Sequence, residues 1–170
     1  MASTSAVPGT EREHYLVTFE REYQITLRQL QAYPAGKSTW KPAEVSRTAA
    51  DLAWMLVMSQ HVTVPIVEAP KIEAPTWTPP PTDWSKLVAA FEQAHREAGP
   101  KLAAMTESVY QSTLIMPVGP GGATAPVRRA DALWMMLFDT VHHRGQFSVY
   151  LRAVGGKVPA IYGPSGDEPW

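Results

Sequence analysis

The chain has 170 residues, 45% hydrophobic and 18% charged, the composition of one globular domain rather than a disordered chain. A net charge of −1 lacks the basic footprint of a nucleic-acid binder, and the absence of cysteine excludes a disulfide framework, a thiolate zinc site, an iron–sulfur cluster and a cysteine nucleophile. No apolar run approaches the ~20 residues of a bilayer span, and MASTSAVPGTEREHY at the N-terminus has no apolar signal core, so a cytoplasmic protein with no membrane partner is expected.

The 16 prolines divide the chain, because proline is excluded from helix interiors. In the first proline-free run, Leu16, Phe19, Tyr23, Leu27 and Leu30 fall on one helical stripe. Thr10 and Glu13 make a capping-box pattern at its start, and Pro34 stops it. The second helix begins at SRTAAD, with Thr48 and Asp51 as its cap. Leu52, Met55, Leu56, Ser59 and Val62 form its stripe, and Pro65 is its expected end. Residues 65–81 (PIVEAPKIEAPTWTPPP) hold six prolines and read as a stiff, extended crossover pinned by Ile66, Ile72 and Trp77.

Thr82 is the expected N-cap of the third helix. Its stripe runs through Trp84, Leu87, Phe91, Ala94, Ala98, Leu102, Met105 and Val109, across Gly99–Pro100. The unbroken register favours one kinked helix over two helices broken at that pair. Residues 117–126 (PVGPGGATAP) read as a flexible loop. The fourth helix, from about Arg128 to Val154, places Ala132, Met136, Asp139, His143, Phe147 and Tyr150 on one face. Four amphipathic helices with little strand signal define an all-α fold. It is a four-helix bundle forming a single domain over residues 1–170, with a long proline-rich crossover between helices 2 and 3.

Polar residues within an apolar stripe are the candidates for chemistry. Asp139 and His143 are four apart, so both side chains lie on one face of the last helix. Carboxylate and imidazole at that spacing can chelate a divalent metal. They can equally pair with each other, or Asp139 with Arg144, and bind no ion. His14, His61, His95 and His142 read as surface or satisfied core histidines. No phosphate-binding loop, GxGxxG or GxSxG occurs, and GPGG at 119–122 is a turn.

The run VHHRGQFSVYLRAVGGKVPAIYGPSGDE (141–168), with HHRGQ, YLR, a glycine pair, VP and YGPS-DE, resembles the DinB/YfiT-like superfamily. SRTAADLAW (46–54) resembles its second-helix motif. The resemblance covers most of the chain. It implies a four-helix bundle, often a homodimer, holding nickel or zinc on three histidines. One histidine comes from the second helix and two, spaced by four, from the fourth. It also implies a low-molecular-weight thiol cofactor, as in bacillithiol S-transferases and mycothiol-dependent maleylpyruvate isomerase. Carried over residue by residue, the metal positions are Met55, Asp139 and His143. Only His143 keeps the family histidine. A thioether suits copper(I) rather than zinc or nickel, and one His with one Asp falls short of the three protein ligands of a tight zinc site.

Three functions follow as expectations. The first is a metal-dependent thiol S-transferase or related isomerase with a degenerate metal triad. The second is a non-catalytic protein holding a small ligand, with Met55, Trp54, Met58, Trp134, Met136 and Phe147 as pocket walls. The third is a structural homodimer that has lost the metal.

Overall fold

The computed structural model describes residues 9–74 and 76–169; Pro75 of the crossover and the N-terminal residues 1–8 lie outside them. Helix α1 spans Glu11–Ala32 and opens with the expected capping box, Thr10 and Glu13 each bonding the other's backbone. Helix α2 spans Ala49–Glu68, with Thr48 and Asp51 in the same roles. Helix α3 spans Trp84–Ala104, the short α4 Glu107–Gln111, and α5 Arg129–Ala153. The long helices form a ring in which α1 and α2 each pack against both α3 and α5. α2 is as long and apolar as a membrane span by composition. Its apolar residues are instead core: Leu52, Leu56, Val57 and Ile66 are all buried within the bundle.

Five expectations need correction. α2 does not end at Pro65 but continues to Glu68. Proline removes one backbone donor from the ladder, yet Ile66 and Val67 beyond it are buried. Buried Arg129 closes the end of the helix, donating to the carbonyls of Ile66 and Ala69, so a cation meets the negative pole of α2. The third helix is capped by Asp83 rather than Thr82, its carboxylate accepting from the Ser85 N–H at 2.9 Å. α3 passes through Gly99–Pro100 without a break and stops at Ala104. The stripe that appeared to reach Val109 crosses into α4, where Thr106 starts a new helix.

Residues 117–126 are no flexible loop. They belong to an antiparallel hairpin of β1 (Thr113–Pro117) and β2 (Thr124–Arg128), with Leu114 opposite Val127. The turn needs glycine, because Gly121 and Gly122 sit at φ 80° and 77°. In the crossover, Ile72 is buried and its N–H donates to the Ile115 carbonyl at 2.9 Å, pinning the segment to β1. Trp77 is 44% exposed and meets the Arg47 guanidinium rather than packing into the core.

The C-terminal run is a clasp. Gly155 sits at φ 85° after α5, and a Cβ on Gly156 would meet the Leu151 side chain at 2.2 Å. The chain therefore turns back along the bundle. Arg152 holds Asp167 at 2.7 Å, and Asp167 also accepts from the Val158 N–H. Arg28 on α1 holds Glu168 at 2.9 Å. Deeper in, Arg144 and Glu22, each 2% exposed, pair at 2.6 Å. The Tyr162 hydroxyl donates to Glu22 at 2.7 Å and accepts from Arg144 at 2.5 Å. The arginines of HHRGQ and YLR and the acids of the final motif thus serve the fold.

Candidate functional site: a methionine-lined cleft

The α2–α5 seam opens into a cleft of about 260 Å³. On α2, Met55, Met58, Ser59 and Val62 recur at helical spacing and face it together. On α5, Met135, Met136 and Asp139 line the opposite wall. Met116 from β1 and Ile72 from the crossover close one side, and Glu73 stands at the cleft. Five of the seven methionines in the chain therefore line one hollow. Thioether side chains are unbranched and polarizable, and they repack around apolar guests of varied shape.

The polar floor is small. Asp139 Oδ1 lies 3.3 Å from His143 Nε2. Ser59 donates its hydroxyl to Asp139 Oδ2 at 2.8 Å, with the Met55 carbonyl 3.0 Å away as its other acceptor. Gln146 Oε1 faces His143 Nδ1 at 3.2 Å, while its amide nitrogen bonds His142. Both nitrogens of His143 and both oxygens of Asp139 are thereby engaged. The three positions inferred for a metal do come together: Met55 and Asp139 line the cleft, joined through Ser59, and His143 abuts Asp139.

The donor set decides what they can hold. Two donors ~2.0–2.1 Å from a tetrahedral ion sit about 3.3 Å apart, so the Asp139–His143 spacing fits either a shared ion or a plain ion pair. The third position offers a thioether, a poor ligand for nickel or zinc. Among the described residues no further carboxylate or imidazole joins the pair. These residues do not fit the metal that the family resemblance implies.

Other expected residues are elsewhere. Trp54 and Phe147 are buried in the core, not in the cleft. Trp134 packs edge-on against Tyr15, so of the six expected walls only Met55, Met58 and Met136 line the cleft. Asp139 does not bond Arg144, which is committed to Glu22. His95 stacks on Tyr23 and bonds Glu20 at 2.9 Å; His14 stacks near Trp134 and His61 is exposed. Sequence reasoning missed Ser59, whose placement four residues after Met55 was the available signal, and Met116, which lay beside a segment read as loop.

A helical bundle whose second and last helices bring these three positions to one seam belongs to the DinB/YfiT-like class of folds. The family model described as DinB family matches residues 3–169, and the chain belongs to that family. Among solved structures, a DinB-like protein of Bacillus cereus is similar at TM-score 0.72 and 20% identity, over 88% of this chain and 97% of that one. A DinB-like protein of Bacillus subtilis is similar at TM-score 0.66 and 18% identity, over 92% and 96%. The mycothiol-dependent maleylpyruvate isomerase aligns at TM-score 0.46 and 16% identity, over 85% of this chain and 62% of that one. No curated protein matches the sequence.

Proposed function

We propose that this DinB-family protein binds a small, largely apolar organic molecule in the α2–α5 cleft and holds no tightly bound nickel or zinc there. The observation that carries the reading is Met55. It puts a thioether where the family resemblance places an imidazole, among four further methionines lining the same hollow. A lost ligand and a gained apolar wall point the same way. The test is metal content by mass spectrometry of untagged protein, before and after incubation with zinc, nickel and manganese and desalting. The expected result is well below one equivalent retained; near one equivalent overturns the reading.

That second outcome belongs to the alternative, a metal-dependent thiol S-transferase with a degenerate triad. The 3.3 Å spacing of Asp139 and His143 is compatible with it, and it requires both a further ligand and a low-molecular-weight thiol. In either case we take the protein to be cytoplasmic and a homodimer. Met135, Phe138 and Val149 are 45%, 64% and 65% exposed on one face of α5, an apolar stripe of the kind that a second copy covers. Light scattering in solution tests this, and a monomer at micromolar concentration rejects it.

A further inference from the structure

Beyond the Asp139–His143 pair the seam continues into a second hollow, of about 450 Å³. Its α2 side is Leu52, one turn before Met55, and its α5 side is His143, Gln146, Val149 and Tyr150. Arg47, just before α2, borders it. Asp139 lines the first hollow and its partner His143 the second, so the pair stands where the two meet. From Met136 to Gln146 is ten residues of α5, about 15 Å of helix.

Their chemistry differs. The first is walled by thioethers and aliphatic groups. The second presents a guanidinium, an imidazole and an amide, and no carboxylate lines it. Asp139, beside the lining residue His143, is engaged by it and by Ser59, and Asp51, beside the lining residue Leu52, is committed to the Thr48 cap. Arg47 is held in place: the Tyr150 hydroxyl donates to its carbonyl at 3.1 Å, and its guanidinium lies 5.5 Å from the Trp77 ring centroid. A cation placed in the second hollow meets Arg47 and no carboxylate in the lining, whereas an anion gains a charge-assisted hydrogen bond.

We infer that the natural ligand is an amphipathic organic acid. Its apolar body lies among Met55, Met58 and Met136, it passes over the Asp139–His143 pair, and its anionic group rests against Arg47. This rests on the proposed small-molecule cleft and names the class of molecule it takes.

Three probes with one chain length separate the two claims: decanoate, decanol and decyltrimethylammonium, titrated calorimetrically into the full chain. The expected order is decanoate tightest, by about tenfold over decanol, the worth of one charge-assisted bond, with the cation weakest. Arg47→Gln, at an exposed position that leaves the backbone bond to Tyr150 intact, removes the preference for decanoate while leaving decanol unchanged. Met58→Gln weakens both. Equal binding of decanoate and decanol, or a decanoate preference that survives Arg47→Gln, overturns the anionic head and leaves the apolar cleft standing. Binding of none of the three overturns both.

Discussion

Arg144 of α5 and Glu22 of α1 form a buried pair at 2.6 Å although 122 residues separate them. Removing one partner of such a pair leaves the other charged group buried and uncompensated, at a cost of about 3–5 kcal/mol. Glu22→Gln and Arg144→Met are each expected to lower unfolding free energy by about that amount in urea titrations. The double variant Glu22→Gln with Arg144→Met is expected to lose much less than the sum. Additive losses would show that the pair does not act as a unit.

The same carboxylate fixes one arm of the pH dependence. Burial pushes Glu22 up, but bonds from Tyr162, Arg144 and Arg21 outweigh it and hold its pKa below the ordinary 4.5. A depressed carboxylate contributes stability that is present above its unfolded value and is lost as pH falls through the folded one. The thermal midpoint is therefore expected to fall as pH drops below about 4.5, and Glu22→Gln is expected to flatten that arm. His95, which burial lowers against the opposing pull of Glu20, adds a separate loss that begins near the ordinary histidine value of 6.5. The Glu22 arm is read beneath it.

Met55→His combined with Asp139→His rebuilds the family's three imidazoles around His143. The double variant is expected to retain near one equivalent of nickel after desalting, where the parent retains little. If it binds nickel no better than the parent, the placement of the site is wrong.

Ser59→Ala removes the hydroxyl that joins Asp139 to Met55. Ser59 is 6% exposed, and loss of one partly buried bond is expected to cost about 1 kcal/mol in urea titrations.

Gly155→Ala puts a Cβ at φ 85°, where an L-residue costs roughly 1–2 kcal/mol. A fall in unfolding free energy of that size is expected, and no change would mean that the turn after α5 relaxes freely.

Much of the bundle was legible because helices announce themselves locally. Thr10 with Glu13 and Thr48 with Asp51 are caps readable within four residues, and both hold. The end of α2 was not legible, because Arg129, 60 residues further on, closes it. The hairpin hid for a similar reason: glycine and proline mark both turns and loops, and only the pairing of Leu114 with Val127 distinguishes them. At the site, the family positions Met55, Asp139 and His143 were placed from the motifs, and they do converge. Arg144 is close to Asp139 in sequence, but five positions is about 140° around the helix, and its partner is on another helix. The far walls, Met116 and Ile72, arrive from tertiary packing that no local pattern encodes.

The clasp at the C-terminus has a consequence for truncation. All the long helices are complete by Ala153, yet the second terminal nitrogen of the buried Arg144 finds its acceptor only in Tyr162. A chain cut between them carries every long helix but leaves Arg144 and Glu22 without the hydroxyl that bonds both. Such fragments open more readily than the finished protein and are offered to proteases. The last turn of chain thus locks helices that are already complete, by closing over the ion pair they bury.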